Sequence, residues 1–89
     1  MTRDYFRNLV SGIVGVFQAG EEISATLTDG KEELVIYAER GYGATDIFVE
    51  CWHSDGVLEC AGYPLDNTTI RKIADVIYDR YGIEGFDKF

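Results

Sequence analysis

One stretch, residues 46–63 (DIFVECWHSDGVLECAGY), restricts the fold of this chain more than any other part. Its two apolar runs alternate with polar residues on either side of Asp55-Gly56, and an Asp-Gly pair in that position is a strong short-range signal for a β-hairpin. A two-residue loop at this pair predicts that Cys51 lies opposite Cys60 and Trp52 opposite Glu59.

The same loop predicts which residues of the hairpin share a face, because side chains alternate along a strand. One face is an ordinary core surface, formed by Ile47, Val49, Cys51, Leu58 and Cys60. The other mixes large aromatic residues with carboxylates, and consists of Phe48, Glu50, Trp52, Glu59 and Tyr63. An exposed aromatic face of this kind is typical of a binding site.

A second Asp-Gly pair, Asp29-Gly30, predicts another hairpin between residues 22–28 and 31–40. Its apolar face contains Ile23, Ala25, Leu27, Leu34, Ile36 and Ala38. Its other face contains Ser24, Thr26, Glu33, Val35, Tyr37 and Glu39. This alternation is typical of an antiparallel sheet with one covered and one exposed side.

The connector at residues 41–45 (GYGAT) is short enough to join the two hairpins into a four-stranded meander. Matching the core faces of the central strands predicts that Tyr37 lies beside Phe48 and that Glu33 lies beside Trp52, because a slip of one residue would exchange the faces.

Both ends of the chain have the spacing of amphipathic helices. Residues 4–19 carry one apolar stripe, formed by Phe6, Leu9, Val10, Ile13 and Phe17, and Gly20 ends it. A second stripe is formed by Ile70, Ile73, Ala74, Ile77 and Tyr81. Asp66 or Asn67 is expected to cap this helix and Gly82 to end it. Beyond it, Ile83, Phe86 and Phe89 either dock on the core or stay loose.

The predicted fold is therefore α+β, in the order α-β-β-β-β-α. A four-stranded antiparallel meander carries the N- and C-terminal helices on one face, and residues 1–89 form a single domain. No apolar run is long enough to span a membrane, and residues 1–10 lack the apolar region of a signal peptide. A cytoplasmic location is expected.

The formal net charge of −8 is concentrated in the middle of the chain. Residues 21–66 contain eleven acidic residues against Lys31 and Arg40. RNA-binding sheets also present aromatic side chains, but they need basic residues for the phosphates. Direct nucleic-acid binding is therefore disfavoured.

The two cysteines and the single histidine are the remaining chemical candidates. Two reduced core thiols are favoured over a Cys51–Cys60 disulfide, since no export signal is present. Zinc binding by Cys51, His53 and Cys60 is the less favoured interpretation, because a structural site uses four ligands and no CxxC spacing occurs. No metal site and no cofactor are predicted, and His53 is expected to be an exposed turn residue.

Catalysis is not expected from this sequence. Acid–base pairs such as Glu50 with Glu59 need an enclosing pocket, and an open sheet face in a small domain offers little enclosure. The Gly41-x-Gly43 pattern lacks the other residues of a phosphate-binding loop. The protein is predicted not to be an enzyme.

The remaining prediction is a protein-binding face with a basic partner, which can be a nucleic-acid-binding protein. Carboxylates two residues apart on a strand repeat at about 6.6 to 6.8 Å, so rows of them can imitate phosphates. The predicted partner-binding residues are Glu33, Tyr37, Glu39, Phe48, Glu50, Trp52, Glu59 and Tyr63. A homodimeric structural or assembly module that uses the same face is the alternative.

In composition, this short acidic α/β chain without catalytic motifs is similar to phage-encoded inhibitors of host defence, such as anti-CRISPR proteins, and to toxin-neutralising immunity proteins. The resemblance implies an inhibitor that engages a basic protein surface. It covers no motif, so no residue roles are transferred from it.

Overall fold

The computed structural model describes residues 1–41, 45–65 and 69–89. The elements in chain order are helix α1 (Arg3–Gln18), strands β1 (Ser24–Thr28), β2 (Glu33–Arg40), β3 (Thr45–Trp52) and β4 (Leu58–Pro64), helix α2 (Ile70–Tyr81), a 3₁₀ turn (Ile83–Gly85) and strand β5 (Asp87–Lys88). The strands form one open antiparallel sheet in the order β4-β3-β2-β1-β5. The α+β fold is confirmed, with five strands instead of four.

The fifth strand comes from the C-terminal tail, which pairs with the outer edge of β1. The backbone N–H of Phe89 donates to the carbonyl of Thr26 at 2.9 Å. Ile83 and Phe86 are buried in the core, whereas Phe89 is 80% exposed. The tail therefore docks at the edge opposite to β4, and it does not cover the uncovered face of β2 and β3.

The core lies between the two helices and one face of the sheet. Each of the first three strands contributes alternate side chains to it, as the β-strand period requires. Its members are Phe6, Val10, Ile13, Val14, Ala25, Leu27, Leu34, Ile36, Ala38, Ile47, Val49, Cys51, Ile73, Ala74, Ile77, Tyr78, Ile83 and Phe86.

Side-chain caps and glycines set the ends of both helices. The hydroxyls of Thr2 and Thr69 accept hydrogen bonds from backbone N–H groups in the first turns of α1 and α2. Gly82 ends α2 in the left-handed conformation, with φ of 63°. The expected caps Asp66 and Asn67 lie outside the described residues. In the part of the chain that the structure describes, no helix is long and apolar enough to cross a membrane.

Ile23, which was expected on the apolar face, precedes β1 and is 47% exposed. Within β1 and β2 the predicted faces are confirmed, although four residues instead of two separate the paired ends of the strands. Both loop lengths leave the same side chains on each face, because they differ by an even number of residues. The register of β2 with β3 is also confirmed, with Tyr37 opposite Phe48 and Glu33 opposite Trp52. Residues 42–44 of the connector lie outside the described part of the chain.

The predicted register of β3 with β4 is wrong by one residue. The loop contains three residues, and Gly56 takes the left-handed conformation at its end, with φ of 88°. The backbone N–H of His53 donates to the carbonyl of Val57 at 2.9 Å and closes the hairpin. Cys51 therefore lies opposite Glu59, and Glu50 opposite Cys60.

This shift exchanges the two faces of β4, because side chains alternate along the strand. Leu58 and Cys60, which were expected in the core, lie beside Trp52 and Glu50 on the uncovered side. The predicted pairing of Cys51 with Cys60 across the strands is therefore wrong, and the two free thiols lie on opposite faces of the sheet, Cys51 buried and Cys60 exposed.

Ion pairs join the two helices on the outside of the domain. The guanidinium of Arg7 donates to both carboxylate oxygens of Asp75, at 2.7 and 2.9 Å. Arg3 lies 3.5 Å from the same carboxylate. The hydrogen bonds from Arg7, followed by its charge, lower the pKa of Asp75 below its ordinary value.

We expect Asp75→Asn to lower the melting temperature at neutral pH and to make it less sensitive to acid. The pKa of Asp75 is lower in the folded than in the unfolded protein. The stability that its carboxylate contributes is therefore fully present above the pKa of the unfolded chain, about 4. It is lost as the pH falls through the folded value. Thermal unfolding between pH 7 and 2 should show the difference from wild type shrinking with acidity.

Glu22→Gln is the matched control, since it removes an exposed carboxylate between α1 and β1. A difference in melting temperature between wild type and Asp75→Asn that stays constant down to pH 2 would contradict the assigned role of Asp75.

Candidate functional site

The face of the sheet turned away from the helices is the candidate site, and we call it the open face. Its members follow from the strand registers and from the alternation of side chains. They are Ser24, Thr26, Thr28, Glu33, Val35, Tyr37, Glu39, Asp46, Phe48, Glu50, Trp52, Leu58, Cys60, Gly62, Pro64 and Asp87.

An aromatic cluster occupies the centre of the open face. The rings of Tyr37 and Phe48 are stacked, with centroids 5.6 Å apart and planes at 15°. Phe48 also lies over Gly62, where an added Cβ would be 3.0 Å from the ring. The glycine therefore gives the ring a place against the backbone of β4. Trp52 and Leu58 extend the cluster, and they remain 42% and 45% exposed.

Glu50 connects the members of this cluster through hydrogen bonds. The hydroxyl of Tyr37 donates to one carboxylate oxygen at 2.9 Å, and the indole N–H of Trp52 donates to the other at 3.3 Å. Burial, followed by the hydrogen bond to Glu50, raises the pKa of Tyr37. The phenol therefore stays protonated and keeps donating its hydrogen bond, and the rings of Tyr37 and Trp52 are both held around one carboxylate.

The charged residues of the open face are all acidic. Its strand positions, every one of which the structure describes, include no lysine or arginine. Glu39 and Asp46 lie directly opposite each other on β2 and β3. Like charges in that arrangement repel. A cationic group bound above them would relieve this repulsion.

Several basic side chains are instead engaged on the helix side of the molecule. Arg3 and Arg7 form ion pairs with carboxylates of α1 and α2. The guanidinium of Arg80 lies 5.9 Å from the ring of Tyr63 and 5.5 Å from that of Tyr81. The domain is therefore electrostatically two-sided, with the sheet side negative.

The structure brings six of the eight sequence-predicted site residues together on the open face: Glu33, Tyr37, Glu39, Phe48, Glu50 and Trp52. Glu59 and Tyr63 are misplaced, because the three-residue loop turns both toward the helix side. There the hydroxyl of Tyr63 lies 3.5 Å from that of Tyr81.

The sequence interpretation missed Leu58 and Cys60, which replace Glu59 and Tyr63 on the open face. The available signal was Ser54-Asp55-Gly56, because a turn followed by a left-handed glycine is the usual three-residue hairpin loop. The same correction separates the considered zinc ligands. Cys51 and His53 belong to the helix side, whereas Cys60 faces away from them.

No family model, curated protein or solved structure matches this chain.

Proposed function

We propose that the protein binds a positively charged surface of another protein through the open face, and that it acts by binding instead of by catalysis. The observation that carries the proposal is an aromatic cluster surrounded by carboxylates, without any basic residue at the strand positions of that face. Tryptophan and tyrosine are common anchors of protein interfaces, and complementary charge speeds association and selects partners. The phosphates of a nucleic acid would be repelled.

The hydrogen bonds around Glu50 support this proposal energetically. Tyr37 and Trp52 are already held by the carboxylate, so less side-chain freedom is lost when a partner covers them. The Trp52 ring is still accessible to such a partner. Because Glu50 accepts both hydrogen bonds, we assign its carboxylate the role of positioning these two rings.

The specific form that we propose is inhibition of a nucleic-acid-binding protein. Such a protein carries a groove of lysine and arginine side chains, which the carboxylates of the open face can occupy in place of phosphates. The two unbridged cysteines fit a reducing compartment, and we place this activity in the cytoplasm.

A sheet-to-sheet homodimer would use the same surface but would bring two sets of carboxylates together. Glu33, Glu39, Asp46 and Glu50 of one copy would share the interface with the same four residues of the other. Repulsion between them opposes such a dimer unless cations bind between the copies. Self-association is therefore an outcome that the experiment must distinguish.

The test is capture of basic proteins from a cell lysate on the immobilised full chain, followed by affinity measurement with the captured protein. We expect Trp52→Ala to weaken binding about 30-fold and Glu39→Lys about tenfold, with binding falling steeply as salt rises. Glu39 is chosen because it is exposed and lies outside the hydrogen bonds of Glu50.

Two matched variants control for loss of an aromatic ring and for reversal of charge. Tyr5→Ala removes an exposed ring from α1, and Glu84→Lys reverses an exposed charge in the 3₁₀ turn. Both should bind as wild type does. If all four variants bind equally, the open face is not the site. A dimer in light scattering that Trp52→Ala dissociates would favour self-association instead.

A further inference from the structure

A second cluster of polar side chains lies on the helix side of the sheet, at the end where the hairpins turn. It contains Glu32, Cys51, His53 and Glu59. Cys51 and Glu59 are opposite each other on β3 and β4, whereas Glu32 precedes β2 and His53 follows β3. The cluster is on the other face from the proposed binding surface, so the two proposals are independent.

The distances between these side chains bring three kinds of metal-ligand atom, a sulfur, a nitrogen and an oxygen, close together. The thiol of Cys51 lies 3.3 Å from Oε2 of Glu32, and Nδ1 of His53 lies 3.2 Å from the same oxygen. The ligand atoms of these three residues all lie within 4.8 Å of one another. Cys51 is buried, and the other two are partly exposed.

We propose that Glu32, Cys51 and His53 form a binding site for one zinc ion. Zinc binds thiolate, imidazole and carboxylate groups in tetrahedral geometry, at about 2.0 to 2.3 Å. At those bond lengths neighbouring ligand atoms lie about 3.4 to 3.6 Å apart, close to the 3.3 and 3.2 Å that separate Oε2 of Glu32 from the other two ligand atoms. Three protein ligands leave a fourth position for water. The sulfur and nitrogen ligands select zinc over magnesium and calcium.

Glu59 completes the arrangement as the residue that positions His53. Nε2 of His53 lies 3.6 Å from a carboxylate oxygen of Glu59, with Nδ1 directed to the ligand cluster. Among the residues that the structure describes, this Nε2 is the one buried side-chain nitrogen or oxygen without a hydrogen bond. Histidines that bind metals commonly donate their second N–H to a carboxylate, and a small movement of Glu59 would supply that bond.

A bound ion would join the segment before β2 to the β3–β4 hairpin. Glu32 is the last residue before β2, and His53 is the first residue after β3. Zinc would therefore add a link between these two segments beyond the last strand pair, Glu33 with Trp52. Because the ion binds the folded arrangement, it would raise the melting temperature.

The test is titration of the metal-stripped full chain with Co²⁺, followed by displacement with Zn²⁺. We expect one equivalent of Co²⁺, with a thiolate-to-cobalt charge-transfer band and the visible bands of tetrahedral cobalt. Cys51→Ser and His53→Gln should each weaken zinc binding at least tenfold, and Cys51→Ser should abolish the charge-transfer band. Glu59→Gln should weaken binding about ten- to a hundredfold.

Cys60→Ser and Glu33→Gln are the matched controls, because each removes the same chemical group from the open face. Both should bind zinc within about twofold of wild type. Millimolar Mg²⁺ should not compete. Equal zinc affinity in wild type and His53→Gln, or no cobalt spectrum, would overturn the proposal. Circular dichroism checks the fold of each variant. If Cys51→Ser fails to fold, the zinc affinity of His53→Gln is the test of the site, because His53 is partly exposed and its replacement should leave the fold intact.

Discussion

Replacing Phe6 with alanine is expected to lower the free energy of unfolding by about 3 to 5 kcal/mol. Phe6 is fully buried on the inner face of α1, with its ring centroid 5.9 Å from that of Tyr78 on α2. Truncation removes the contacts that this ring makes with α2 and leaves a cavity that the surrounding side chains fill only in part. Since small domains are stable by about 5 to 15 kcal/mol, this change removes a large share of the total.

Chemical denaturation followed by circular dichroism measures the effect, and Tyr5→Ala is the control. Tyr5 is the neighbouring aromatic residue on the same helix, but its side chain is 48% exposed. Its removal should change the free energy of unfolding by no more than about 0.5 kcal/mol. A loss below about 1 kcal/mol for Phe6→Ala would mean that α1 does not pack on the sheet as described.

The sequence was sufficient to predict the inner faces of β2 and β3 because their hydrophobic pattern allows one solution. Leu34 and Ile36 on β2 and Ile47 and Val49 on β3 must all face the helices. A slip of one residue would expose all of them, so their register is determined by burial. The stacking of Tyr37 on Phe48 follows from that register.

The register of β4 could not be predicted in the same way, because neither of its faces is strongly apolar. Its sequence LECAGYP places small and polar residues on both sides, and most of its side chains are exposed. Burial therefore distinguishes poorly between the two registers. The length of the loop therefore determines the register of β4, and Gly56 is compatible with both a two-residue and a three-residue turn. The assignment of Glu59, Cys60 and Tyr63 to their faces depended on that choice.

The fifth strand and the proposed zinc ligands also could not be predicted from the sequence pattern. A strand of two residues carries no periodicity, and β5 forms because burial of Ile83 and Phe86 brings the tail to the edge of β1. The cluster combines Glu32 with Cys51 across two strands. That contact can be predicted only when the turn before β2 and the strand registers are both known.

Cys60 is expected to react with a maleimide or disulfide reagent at least about a hundredfold faster than Cys51 at neutral pH. Cys60 is exposed on the open face, whereas Cys51 is buried in the core. Burial, followed by the hydrogen bond to Glu32, raises the pKa of the Cys51 thiol from an ordinary 9.0 to about 11. This shift alone reduces its reactive thiolate about a hundredfold, and burial further limits access of the reagent.

Mass spectrometry of the metal-stripped protein at successive times measures the two rates. Cys60→Ser should label only slowly and should become fast in denaturant, while Cys51→Ser should keep the fast phase. Mild oxidation of wild type should give disulfide-linked pairs of chains through Cys60, because the two thiols of one chain lie on opposite faces of the sheet. An intramolecular disulfide would require Cys51 opposite Cys60. That pairing needs the two-residue loop expected from the sequence, which would place Glu59 and Tyr63 on the open face and so change both proposed sites.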